Sequence, residues 1–341
     1  MTRITWFLDA VCRVGVGLAL VSLAILPGGM QTPGAAAVLQ TADDDTTAVV
    51  RGLIEALQDK DAVVRLSTVK ALGRIGPGAK EAVPALTQTL KDEDIDVRGA
   101  AALALGRIGP DAKSATPALI VLLRDPERDV RGAAALALAR VGKDARAAVP
   151  ALRDLSKENE PQSQIFARCA LAVLDDDSET HVSVVAGFLK SNEVETRGAA
   201  VYALGELGPL ARAAVPALSH VLKDPNVEVR RSAVSALGQM GAAAKPAVPH
   251  LAAALQDEDA EVGVLAALSL AEIGPDAVNA VAALTDALKS SAVDLRGSAA
   301  FALGEIGPSA RAAIPALLAL LRDPDADVRE AAVTALGKIQ E

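Results

Sequence analysis

One spacing constrains this chain more than any other feature: a leucine recurs every 33 residues, at Leu72, Leu105, Leu138, Leu171, Leu204, Leu237, Leu270, Leu303 and Leu336. Nine occurrences without insertion define nine units between about Thr46 and Glu341. A fixed period of this length marks stacked supersecondary units rather than one globular core. Two further columns keep the same register. Pro84, Pro117, Pro150, Pro216, Pro249 and Pro315 form one, with Arg51, Ser183 and Ala282 in its gaps. Arg65, Arg98, Arg131, Arg197, Arg230, Arg296 and Arg329 form the other, broken by Gln164 and Gly263.

Each unit carries two helical segments. In the second, Val97, Ala101, Ala104, Leu105 and Ile108 lie on one face of an α-helix. Asp125-Pro126, Asp224-Pro225 and Asp323-Pro324 read as an N-cap followed by proline at the first helical position. Gly109-Pro110 reads as the stop, with glycine in a left-handed conformation and proline forbidding continuation. The first segment, around 112–124, contains Pro117, so the pattern predicts either a kink or a turn followed by a helix starting at proline. No strand-like alternation of any length is present. Short helices that are apolar on one face bury that face only against the next unit. The expected fold is therefore all-α: a right-handed α-solenoid of nine two-helix repeats.

Val-Pro-Ala-Leu, then Asp-x-Asp-x-Asp-Val-Arg, then Ala-Leu-Gly-x-Ile-Gly resembles the HEAT repeat. The short, alanine-rich, 33-residue form is similar to the subclass found in phycobilisome lyases. The resemblance implies a solenoid whose second helices line a concave side. It says little about activity, because such repeats host many.

Residues 1–37 differ from the array. Arg3 and Arg13 precede or flank the apolar run Val14–Leu26, and Ala35-Ala36-Ala37 offers a small-residue cleavage site. That is the pattern of a secretory signal peptide. The run is short for a bilayer span of ~20 residues, although an uncleaved anchor is the alternative. Residues 38–45 read as an acidic linker containing Asp43-Asp44-Asp45, and 46–341 as the solenoid. The expected destination is the periplasm or the exterior of a bacterial-type cell, with membrane attachment only through an uncleaved N-terminal segment.

Without residues 1–37 the chain holds 32 basic and 42 acidic residues, a poor balance for binding nucleic acid. Cys169 is then the sole cysteine, so no intrachain disulfide can form. Its column also holds Leu103, Leu136, Tyr202, Leu268 and Phe301, which favours packing over a nucleophilic role. His181, His220 and His250 fall in three different units without the spacing of a metal site. Asp175-Asp176-Asp177, standing where other units have Gly-Pro, reads as a solvated acidic loop rather than a calcium loop. We read this fourth unit as locally altered, not as a domain boundary. The arginine column reads as structural: acids such as Asp94 and Asp96 precede Arg98, and neighbouring repeats would cross-link turn carboxylates to arginine. Glycines at 73, 106, 205, 238, 304 and 337 read as points of close helix approach. In the last unit Glu330 and Thr334 replace smaller or apolar residues, as a terminal capping repeat requires.

No catalytic, metal-binding or cofactor-binding constellation emerges, and the chain is expected not to be an enzyme. What remains is surface. The column of Leu103, Tyr202 and Phe301 lies beside a charged column, basic at Arg74, Arg107 and Arg140, acidic at Glu206, Glu272 and Glu305. Residues 60–150 carry a net +4 and residues 151–341 a net −10. These columns form either a partner groove or inter-repeat packing. The expected function is a non-enzymatic, exported, monomeric scaffold that binds a protein along the concave face, through Arg74, Arg107, Arg140, Tyr202, Glu206, Glu272, Phe301 and Glu305. The alternative, resting on the resemblance alone, is a lyase or lyase partner handling a tetrapyrrole.

Overall fold

A computed structural model describes residues 46–341, and the signal peptide and linker expected at 1–37 and 38–45 lie outside the described residues. Contacts divide the chain into two compact units meeting at Asp176 and Asp177, inside the altered loop of the fourth repeat. No strand occurs among the described residues.

In the first unit helix α1 (46–56) is followed by α2 (Ala62–Ile75), α3 (Val83–Thr89), α4 (Ile95–Ile108), α5 (Thr116–Leu122), α6 (Arg128–Val141), α7 (Val149–Leu155) and α8 (Pro161–Leu174). The second unit contains α9 (Ser178–Gly187), α10 (Val194–Leu207), α11 (Val215–Val221), α12 (Val227–Gln239), α13 (Val248–Ala254), α14 (Ala260–Ile273), α15 (Val281–Ala287), α16 (Val293–Ile306), α17 (Ile314–Leu320) and α18 (Ala326–Gln340). Even-numbered helices are the long second helices of each repeat. In each unit they stack on one another in sequence, as the expected all-α solenoid requires.

The leucine column forms the spine of both stacks. Leu72, Leu105, Leu138 and Leu171 are fully buried in the first unit, as are Leu204, Leu237, Leu270 and Leu303 in the second. Alanines fill the space around them: Ala101, Ala134, Ala233 and Ala299 are all buried to 1% or less. Small side chains let the long helices approach closely, and the glycine column takes this furthest. A Cβ placed on Gly106 would lie 2.9 Å from Ala137 Cα, and one on Gly304 would lie 3.0 Å from Ala335 Cα.

The start and stop signals work differently from the sequence reading. Helix α6 begins at Arg128 with Glu127 as N-cap, α12 at Val227 with Asn226, and α18 at Ala326 with Asp325. The Asp-Pro pairs therefore sit in the preceding loop. Asp224 Oδ1 accepts the Asn226 N–H at 2.9 Å and Asp323 Oδ1 that of Asp325 at 3.0 Å, so the aspartate shapes the turn leading to the cap. At the stop, Gly109 does take a positive φ of 78°, but its ψ is −139°, a region closed to side chains by Cβ sterics. Proline does not end helical structure there. Pro110 opens a 3₁₀ segment, Gly109–Ala115, which turns directly into α5 with Pro117 in its first turn. The second of the two expected arrangements is thus the observed one. Among the described residues one stretch, Ala260–Ala287, is long and apolar enough to cross a membrane by length and composition alone, but half of its most apolar window is buried and it is broken in the same way at Gly274.

Candidate interaction surfaces

The arginine column forms a ladder across the seams between repeats. Arg65 Nε and Nη2 each donate to Asp92 at 2.7 Å, and Arg98 Nε donates to Asp125 at 2.9 Å. In the second unit Arg197 binds Asp224 at 2.6 and 2.8 Å, Arg230 binds Asp257 at 3.0 and 2.9 Å, and Arg296 binds Asp323 at 2.8 Å through both nitrogens. The third nitrogen of each fork reaches its own loop: Arg197 Nη1 donates to the carbonyls of Ser191 and Asn192 at 3.0 and 3.3 Å. Each rung thus ties a loop to the turn of the next repeat by bidentate, charge-assisted bonds. The cross-link expected from the sequence exists, but its acid is not one of those two or four residues before the arginine. Asp94 caps α4 through the Val97 N–H instead. The true partner lies 27 residues on.

Electrostatics follow from this geometry. Burial works to raise the Asp224 carboxyl, but bonds from Arg197 and the Asn226 N–H, with the charges of Arg197 and Arg230, outweigh it and hold the carboxyl below its usual range. The same balance lowers Asp92. At Asp323 the hydrogen bond from Arg296 is itself the largest influence, and the carboxyl is again lowered. These charges are committed to the fold and offer no anion ladder to a ligand.

A sequence signal for the rungs was available and went unread. Where the arginine column fails, at Gln164 and Gly263, the position 27 residues on is Ser191 and Ser290 rather than an acid. Arg131 is intermediate: its fork meets Ser163 Oγ at 3.3 and 3.2 Å and Glu158 at 3.5 Å.

The second-helix columns behave differently in the two units. In the first, Leu103, Leu136 and Cys169 are buried to 7%, 1% and 1%, so here the apolar column is packing, and Cys169 is the packed residue expected. In the second, Tyr202 and Leu268 are half-buried and Phe301 is 42% exposed. Lys338 Nζ lies 5.7 Å from the Phe301 ring centroid and pairs with Glu305, which draws these two columns together at α16 and α18. Glu272 is exposed and Glu206 half-buried. Among the basic positions Arg74 is exposed, whereas Arg107 and Arg140 are half-buried. Arg107 lies across the preceding helix, its Nη1 3.5 Å from where a Cβ on Gly73 would be.

The acidic loop is not simply solvated. Asp175 pairs with Arg153 at 2.8 Å, and Asp176 pairs with Arg146. Asp177 caps α9 through the Thr180 N–H. Of the histidines, His181 is buried, while His220 and His250 meet edge to face with centroids 6.3 Å apart. No cluster of three metal-type ligands occurs among the described residues. A shallow depression of about 170 Å³ lies between Leu189, Ala217 and Val221, rimmed by Lys190, His220 and Lys223.

Comparison with known proteins places this geometry. The family model described as HEAT repeats matches residues 50–116, 90–172, 182–271, 215–303 and 281–341. No curated protein matches the chain. Among solved structures, an engineered protein is 22% identical with a TM-score of 0.45, each chain being covered in full. Kap121p is 15% identical with the same TM-score over 86% of this chain, which spans 41% of Kap121p.

Proposed function

Because the chain belongs to the HEAT-repeat family, we propose that it is a non-enzymatic protein-interaction scaffold that engages its partner through the second helices. The observation that carries this reading is Phe301, a large aromatic left 42% exposed on a column that the first unit buries. An exposed aromatic backed by a cation is a common interface anchor, and most binding energy in an interface comes from a few such residues. In the second unit Tyr202 and Phe301 act as anchors, with Glu206, Glu272 and Glu305 selecting a basic segment of the partner. In the first unit Arg74, Arg107 and Arg140 steer an acidic segment, chiefly through the exposed Arg74. The partner meets the scaffold outside the cytoplasm, after removal of residues 1–37.

The test is kinetic. With a partner captured from the envelope fraction, Phe301→Ala and Tyr202→Ala should speed dissociation. Charge reversal of Arg74, Arg107 and Arg140 should slow association and flatten its salt dependence while leaving helicity unchanged. Parent-like binding by both sets would end this reading. The tetrapyrrole-handling alternative is separated by absorbance after incubation with a bilin, since only that function produces a bound chromophore.

A further inference from the structure

Two departures from the repeat coincide across one seam of first helices, well inside the second unit. In the column of His250, on α13, six other repeats carry alanine, at 85, 118, 151, 217, 283 and 316. In the column of His220, on α11, no other repeat carries histidine; Gln88, Val121, Asp154 and Asp286 stand there. The two histidines are 30 residues apart, and stacking sets the sixth position of α11 against the third of α13. A histidine replaces the usual alanine on the one first helix whose preceding neighbour also presents a histidine.

Their ring centroids lie 6.3 Å apart, with the planes inclined at 67°. His220 is exposed and His250 half-buried. His250 Nδ1 is itself buried and meets no hydrogen-bond partner among the described residues. A buried ring nitrogen left unmatched is costly, and such an atom is a usual sign of a bound ion or water.

We propose that His220 and His250 form a two-histidine site for a late first-row divalent ion, zinc above all, which clips α11 to α13. Neutral imidazole is a favoured ligand of such ions and binds them through either ring nitrogen. Zinc–nitrogen bonds of about 2.0–2.1 Å place two rings that share a tetrahedral ion with their centres roughly 5–5.5 Å apart. Closing the observed 6.3 Å to that range takes about 1 Å of movement, which rotation of the exposed His220 side chain supplies. Water completes the coordination, since no cluster of three metal-type ligands occurs among the described residues. Asp224 does not serve, because Arg197 holds both of its oxygens at 2.6 and 2.8 Å. Lys190 and Lys223, which with His220 rim the shallow depression, oppose a cation, but both are exposed and screened by solvent. The site lies on first helices and does not depend on the binding role given to the second.

Calorimetric titration of the full chain, carrying no histidine tag, with zinc chloride tests the proposal, together with urea midpoints measured with and without zinc. The parent should bind one zinc ion and unfold at higher urea in its presence, because an ion that binds only the folded chain stabilises it. His220→Ala removes an exposed side chain, and His250→Ala restores the alanine of its column, so both should match the parent's helicity without zinc. Each should lose at least about tenfold in zinc affinity, since even the outer partners of a metal ligand are worth about 10–100-fold. A parent that binds no zinc overturns the proposal. Zinc binding that survives both substitutions places the ion on the acidic surface and overturns it too. So does a loss confined to one of the two variants, which would mean that the histidines do not share the ion.

Discussion

Gly304 and Gly337 hold the same column in adjacent repeats, yet alanine should act on them in opposite directions. At Gly304 the added Cβ would lie 3.0 Å from Ala335 Cα and 3.3 Å from Ala335 Cβ. Carbon atoms prefer about 3.5–4.0 Å, so α18 must retreat by roughly 0.5 Å, and the obstructing atom is backbone that cannot rotate away. Overpacking of this kind costs about 1–3 kcal/mol. Replacing glycine within a helix returns about 1 kcal/mol, leaving a net loss of about 0–2 kcal/mol. Gly337 meets nothing within 4 Å, so only the helix-propensity gain of about 0.5–1 kcal/mol remains. The two variants should therefore differ by about 1–3 kcal/mol. Urea titrations followed by far-ultraviolet circular dichroism, at concentrations where the chain is monomeric, measure the difference. If Gly304→Ala stabilises as much as Gly337→Ala, the seam is looser than its geometry and the close-approach argument is refuted.

Leu204→Ala should cost about 2–5 kcal/mol, since the side chain is fully buried in the spine; a loss below 1 kcal/mol in the same titration would contradict the packing. Asp224→Ala leaves two donor nitrogens of Arg197 unmatched and should cost about 1–3 kcal/mol, read as a fall in the urea midpoint. Because Asp92, Asp224 and Asp323 have lowered pKa values, their rungs stabilise fully above the unfolded carboxylate value of about 4 and are lost as pH falls through the depressed folded values. Stability should therefore drop progressively below pH of about 4, and a helicity profile flat to strong acid would contradict that sign. Removing all 33 residues of one middle repeat should be tolerated better than removing ten, because the column register survives. Equal helicity of the two deletions would count against nearest-neighbour stacking. N-terminal sequencing of the exported chain should begin near Val38, and intact Met1 in the cytoplasmic fraction would refute export.

Features contained within one repeat could be read from the sequence. Helix periodicity and the proline-started first helices depend on neighbours a few residues apart, while the leucine spine and the glycine seams, though they pack repeat on repeat, show as unbroken or nearly unbroken columns at one spacing. What escaped reading depends on pairings between residues far apart in the chain. Asp125-Pro126 looked like an N-cap because a carboxylate before proline usually is one. Here that carboxylate is taken by Arg98, 27 residues earlier, and Glu127 takes the cap position. The column of Leu103 and Phe301 has the same residue character in both units, but burial depends on what adjacent repeats lay over it. One column therefore holds both packing and open surface. The acids of the altered loop looked solvated because Arg146 and Arg153, which neutralise two of them, lie 30 and 22 residues earlier, around the first helix of the same repeat.

The unevenness of the rungs gives the array a mechanical consequence. Under tension along the chain, repeats that touch only their neighbours should peel off serially, each releasing about 110 Å of contour at roughly 3.4 Å per residue. The seams are not equally fastened, however. Where Arg230 grips Asp257, rupture must break two short charge-assisted bonds together with the apolar contact. At the seam after Gly263, with Ser290 in place of an acid, the half-buried arginine fork is missing, and only the exposed Lys245–Asp276 pair adds to the apolar contact. The second unit should thus yield first between α14 and α16, well inside the stack, so that a pulling record shows its lowest force peak there.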